Sequence, residues 1–205
     1  MPPKTPLREP HEYFDGQLDP FSRGAAVFAL HVVVDVVVIV ILVRLLLGRI
    51  ENPPAGLEQE VSSLLAGTIV FALVIYVIAW LVVAAVMHFL SGGSSTAGSF
   101  GDALGVAGWA YAPEVITAPA TLAFAWYQLS QLHLDGSDTA RLVAELETLE
   151  RVTFHPISIA ILLVVTAWSV YILAKGVAAT HDVSVDRTLL PAALIGIGSF
   201  LLAFV

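Results

Sequence analysis

The chain of 205 residues contains no cysteine, which excludes a disulfide framework and any thiolate metal site. Charge is scarce as well. Only 13% of residues are Asp, Glu, Lys or Arg, about half the share usual in soluble domains. Bases are scarcest, nine against seventeen acids, and Lys4 and Lys175 are the only lysines. A sequence pI near 5.0 excludes nucleic acid as a partner, because that needs a basic footprint. Loops rich in acids and poor in lysine suit a high-salt cytoplasm, where screening removes their self-repulsion. No HExxH motif, Ser/His/Asp set, phosphate-cradling loop or pair of catalytic carboxylates can be assembled, so neither an enzyme nor a metal or other cofactor is expected.

Apolar residues dominate instead, at 58%, with a mean hydropathy of +0.86. The expected fold class is an all-α integral membrane protein with five transmembrane helices, the third preceded by a short broken helix. Residues 1–23 read as a polar, proline-rich tail with no apolar core of their own, unlike a cleaved signal peptide. Residues 24–205 read as the membrane domain. A helix needs roughly 20 apolar residues to cross the hydrocarbon core, and the expected spans are 24–47, 64–90, 113–133, 157–179 and 188–205. Segment 99–133 is too long for one straight crossing and too short for two. Ser99 and Asp102 fit a capping box, which starts a short helix over 99–109. In "GWAYAPEVI", Gly108 and Pro113 then break it. Pro113 at a first helical position with Glu114 behind it suits a new helix start. Such a break survives at membrane depth only when other helices or water cover it. Residues 138–152 are expected to form a short amphipathic helix, with Glu147 and Arg151 as an i,i+4 pair.

Five crossings put the termini on opposite faces. With the N-terminus inside, five basic residues lie inside and four outside, so charge does not orient the chain.

Few residues in the spans carry chemistry. His31 and Asp35, four apart, share a face of the first span, and ionisable groups inside a span are costly. They are either a proton or cation site completed by Glu114 or His88, or a local His–Asp hydrogen bond that locks packing. Glu114 is either a helix-dipole partner at a wet interface or a buried acid. His88 and His155, at span ends, read as interfacial. Gly105 and Gly108, and Gly196 and Gly198, allow close helix contact.

The order of segments carries one further signal. A glycine-rich loop followed by Gly108, Trp109, Ala110 and Pro113 resembles the third hydrophobic segment of the Yip family, named for Ypt-interacting proteins. "AWSVYILAKGVAATHDVSVDRTLL" is similar to a second family pattern, in which Trp168, Gly176, Ser184 and Arg187 take the marked places. The resemblance covers roughly 20–205, and the acidic composition would make the chain a prokaryotic, haloarchaeal member. It implies the five-span fold and a cytosolic N-terminus, and with five crossings the chain is expected in the cell membrane with its C-terminus outside. It also implies a role in membrane traffic or shaping, with small GTPases and other membrane proteins as partners. The function expected is a non-enzymatic scaffold or adaptor with Gly108, Trp109, Tyr111, Pro113 and Glu114 forming a recess. Its expected partners are the lipid bilayer, other membrane proteins and a second copy of the chain. The alternative is a small permease or channel subunit whose broken third helix faces an ion or substrate.

Overall fold

Proline opens helices repeatedly in this chain, because its fixed φ and missing N–H suit the first helical turn. Helices α1 (Pro10–Phe14), α2 (Pro20–Leu47), α5 (Ala112–Ser130) and α6 (Pro156–His181) all begin this way. They are joined by α3 (Leu57–Leu90), α4 (Phe100–Trp109) and α7 (Val185–Leu202). The computed structural model describes residues 4–16, 19–132, 134–138, 140–146 and 155–204. Of the expected amphipathic helix, residues 140–146 are helical, with Arg141 and Glu145 paired at 3.1 Å; Glu147 and Arg151 lie outside the described residues.

Among the described residues, four helices are long and apolar enough to cross a membrane: α2, α3, α6 and α7. The third of the five expected spans is the exception. Helix α5 has 19 residues, and Pro113, Glu114, Pro119 and Gln128 dilute its apolar content. Its course is nevertheless informative. Just before α4, the Ala97 N–H donates to the carbonyl of His181, the last residue of α6 (3.3 Å). At the far end of α5, the Arg49 side chain donates to the Ser130 carbonyl (3.3 Å). There, two-residue strands β1 (Ile50–Glu51) and β2 (Leu134–Asp135) pair in parallel, tying the α2–α3 connection to the chain beyond α5. Helices α4 and α5 in series thus join one end of the bundle to the other.

The junction between them is milder than a loop. Ala110 and Tyr111 both keep right-handed helical dihedrals (φ −64°, ψ −16° and φ −85°, ψ −9°). Only the hydrogen-bond ladder slips, with the Glu114 N–H bonding Tyr111 O at 3.2 Å. The Ala110 carbonyl receives the Ser169 hydroxyl instead, at 2.6 Å. A buried carbonyl left unpaired would cost about 1–3 kcal/mol, so Ser169 on α6 stabilises the break. At the other end of α4, Ser99 and Asp102 form a reciprocal capping box.

Helix α4 is the centre of the molecule. Ala103, Val106 and Ala107 are fully buried, in a core shared with Ala84 and Met87 of α3, Leu173 and Val177 of α6 and Ala192 of α7. Alanine and glycine predominate because the helices approach closely. A Cβ on Gly24 of α2 would land on the Gly105 backbone, and one on Gly108 would land on Gly24. A Cβ on Gly105 would in turn lie 2.5 Å from the Pro20 carbonyl carbon. Backbone thus meets backbone along the α2–α4 contact.

The N-terminal residues are not a free polar tail. Phe14, 2% exposed, lies in the notch left by Gly176, where a Cβ would also press on Val106. Trp168 donates its indole N–H to Leu7 O (2.8 Å), and the Tyr171 hydroxyl donates to Arg8 O (2.9 Å). Residues 5–14 are strapped along α6.

Overpacking a close-packed contact costs about 1–3 kcal/mol. Gly108→Ala should therefore lower the unfolding midpoint in detergent by several degrees, whereas Gly198→Ala, where no atom lies within 4 Å of the added Cβ, should leave it unchanged or raise it. Equal midpoints for Gly108→Ala and the parent protein would show that the contact tolerates a methyl group.

Candidate functional site

The α2–α4 contact sets the register of the next turns of α2. One turn beyond Gly24, Phe28 stacks on Trp80 of α3 with ring centroids 4.5 Å apart. The turn after that places His31 against the α4–α5 junction, where its ring stacks on Tyr111 at 4.7 Å. His31 is 1% exposed, and neither ring nitrogen has a hydrogen-bond partner. Nδ1 lies 3.4 Å from Glu114 Oε2 and Nε2 lies 3.8 Å from Asp35 Oδ2. The second distance is too long for a hydrogen bond, so the local His31–Asp35 bond that helix spacing allowed is not formed. Asp35 instead accepts from Tyr76 of α3, at 2.6 Å.

Glu114 does occupy the first turn of α5, where the helix dipole favours an acid. It faces His31 within the bundle, and its side chain is 44% exposed. A cavity of about 250 Å³ opens beside it between α2, α5 and α6, with Asp35 on the same wall. A smaller cavity of about 60 Å³ lies on its other side, next to Tyr111 and Ser169. His31, Asp35 and Glu114 are therefore one cluster, drawn together from α2 and α5. Tyr76 and Tyr111 belong to it as well. Among the described residues no group of three or more His, Cys, Asp or Glu side chains is arranged to hold a metal ion.

The other residues of the two sequence patterns serve the scaffold. Pro113 is fully buried in the first turn of α5. Trp109 packs edge-on to Tyr13 at 5.7 Å. Trp168 and Gly176 receive the N-terminal strap. Ser184 is the N-cap residue of α7, although its side chain makes no capping bond. Arg187 reaches over the turn at Gly92, whose Cβ would lie 2.8 Å from the guanidinium. His155 accepts from the Ile157 N–H as the N-cap of α6 (3.2 Å).

His88, in the last turn of α3, is buried. Its Nδ1 lies 3.0 Å from Nε2 of His181, so one ring donates and the other accepts. This pair, 93 residues apart in sequence, ties α3 to α6 where the 91–99 turn folds over them. Gly98 is required there because a Cβ would strike the His181 ring.

An intramolecular hydrogen bond contributes about 0.5–1.5 kcal/mol net. Tyr76→Phe, which removes only the donor to Asp35, should reduce stability in detergent by about 1 kcal/mol on that scale. Thermal unfolding followed by tryptophan fluorescence measures it, and an unchanged midpoint would show that Asp35 is equally well satisfied without Tyr76.

The Yip1 domain family model matches residues 7–205, so the match takes in both the strapped N-terminal residues and every membrane helix. No curated protein and no solved structure matches the chain. With almost the whole sequence matched and several helices apolar enough to span, this chain belongs to the Yip1 domain family and is a multi-pass membrane protein.

Proposed function

We propose that this protein is a non-enzymatic scaffold or adaptor that holds other membrane proteins in the plane of the bilayer, in keeping with a family role in membrane traffic. The observation that carries this conclusion is the course of α3. At about 1.5 Å per residue, its 34 residues run roughly 50 Å, well beyond a hydrocarbon core of about 30 Å. Its buried residues, Ala84, Met87 and His88, all lie near its C-terminal end. Further up, Val70, Phe71, Val74 and Ile78 are exposed, Phe71 to 68%. Gly67 lies on the same face, with no atom within 4 Å of a Cβ built there. Helix association in lipid depends on close packing at small residues, so this face suits a partner helix.

Within this reading, α4 and α5 in series make the fifth crossing, the N-terminus is cytoplasmic and the C-terminus lies outside. The strapped tail leaves lateral helix contacts as the principal interface, ahead of any small GTPase. A second role, as a small permease or channel subunit, is favoured by one observation: His31, Asp35 and Glu114 meet beside a cavity. Its mark would be solute or ion flux in proteoliposomes that is lost in Asp35→Asn.

A photoreactive amino acid placed at Val70 or Val74 should crosslink, in native membranes, to a defined membrane protein. Gly67→Leu should diminish that adduct, and the same label at buried Val177 should give none. Adducts to lipid alone at both α3 positions would defeat the adaptor role.

A further inference from the structure

The cluster around His31 has an unbalanced charge. Two carboxylates, Asp35 and Glu114, face one imidazole, so even a fully protonated ring offsets only one of them. Among the described residues neither acid pairs with a lysine or arginine within 4 Å. Tyr76 donates a hydrogen bond to Asp35 but supplies no charge. His31 is itself an unpartnered polar group, 1% exposed, with both nitrogens directed at the acids. An uncompensated anion at membrane depth is costly, and a buried charge is ordinarily paired. A proton on one acid would relieve the imbalance, and a second positive charge beside both acids would complete the arrangement.

The space beside the acids states what kind of cation fits. The cavity of about 250 Å³ is far larger than the roughly 10–15 Å³ that one water molecule requires. Beside Asp35 and Glu114 it is lined by Thr117, Thr121 and Ser158 and by apolar residues that include Val38, Phe124 and Val165. A bare metal ion would find no set of three His, Cys, Asp or Glu ligands among the described residues. A wall with two acids and a larger apolar surface matches an amphiphile with a cationic head.

We propose that the cavity between α2, α5 and α6 binds an organic cation, with a primary ammonium group seated against Asp35 and Glu114 and an apolar body lying along Val38, Phe124 and Val165. Three N–H donors on one ammonium match carboxylates that only accept. The site does not depend on the adaptor role, because it uses α2, α5 and α6 and not the exposed face of α3. Two sources could supply this head group, an aminophospholipid entering sideways from the bilayer or a free lipophilic amine.

The test uses the full chain in phosphatidylcholine nanodiscs, with radiolabelled octylamine as probe and octanol as its neutral match, both corrected for uptake by empty nanodiscs. Octylamine should bind at least about tenfold more tightly than octanol, a ratio equivalent to about 1.4 kcal/mol. The preference should vanish in the Asp35→Asn, Glu114→Gln double variant. Ala118→Leu, which fills the cavity and leaves the acids in place, should weaken octylamine binding by a similar factor. Equal binding of amine and alcohol, or octylamine binding unchanged in either variant, overturns the site. Should the double variant fail to fold, the Ala118→Leu result alone decides. Replacing part of the phosphatidylcholine with phosphatidylethanolamine separates the sources. Competition with octylamine identifies the lipid head group, and octylamine binding without competition identifies a free amine.

Discussion

The contact of backbone on backbone at Gly24, Gly105 and Gly108 is the constraint on which the rest of the structure depends. Lipid tails are as apolar as leucine, so burying apolar surface gives little reason for one membrane helix to choose another. What remains is close packing, and glycine permits the closest approach. Helix α4 is drawn onto α2 at the single place where both backbones are bare. Once α4 is fixed, α3 and α6 close over its other faces through Ala84, Met87, Leu173 and Val177.

That contact also determines what α2 presents deeper in the bundle. From Gly24, successive turns bring Phe28 to Trp80 and then His31 to Tyr111. Because Ala110 and Tyr111 keep helical dihedrals, α5 continues beside α2 instead of turning away. Glu114 therefore arrives at His31 and Asp35. A true loop at the junction would have aimed Glu114 elsewhere. The break is small and well satisfied, with the Ser169 hydroxyl on the freed carbonyl, and its consequence is positional.

Local signals in the sequence announced local structure. The Ser99–Asp102 capping box and the helix start at Pro113 are properties of a few neighbouring residues, and both were legible. So were the long apolar helices, since length and composition suffice for them. The expected span at 113–133 is different: a helix stands there, but it does not reach the length and apolar content of the other four. Helix α5 carries prolines and polar residues, and only Ala112, Pro113 and Leu129 of it are buried. The remaining contacts join residues far apart in sequence. Trp168 to Leu7, Tyr76 to Asp35 and His88 to His181 connect elements whose faces carry no polarity contrast. In a soluble protein an amphipathic stripe would have shown which face turns inward. Here the apolar residues run all around each helix, and only the glycines indicated a contact. Gly108 stands out within its apolar segment, but its counterpart Gly24 lies at the edge of the polar tail and resembles a linker residue.

The polar cluster completes the same logic. A membrane helix retains an acid only where something makes it tolerable, and the protein supplies that something unevenly. Asp35 has the Tyr76 hydroxyl and Glu114 has the positive end of α5, while His31 lies between them without a hydrogen bond of its own. If packing alone were at stake, three apolar side chains would fill this volume at less cost. The residues that would serve merely to fill are absent, and a cavity stands beside the acids in their place. Groups this costly, only partly satisfied and set beside a cavity, are what the proposed cation site rests on.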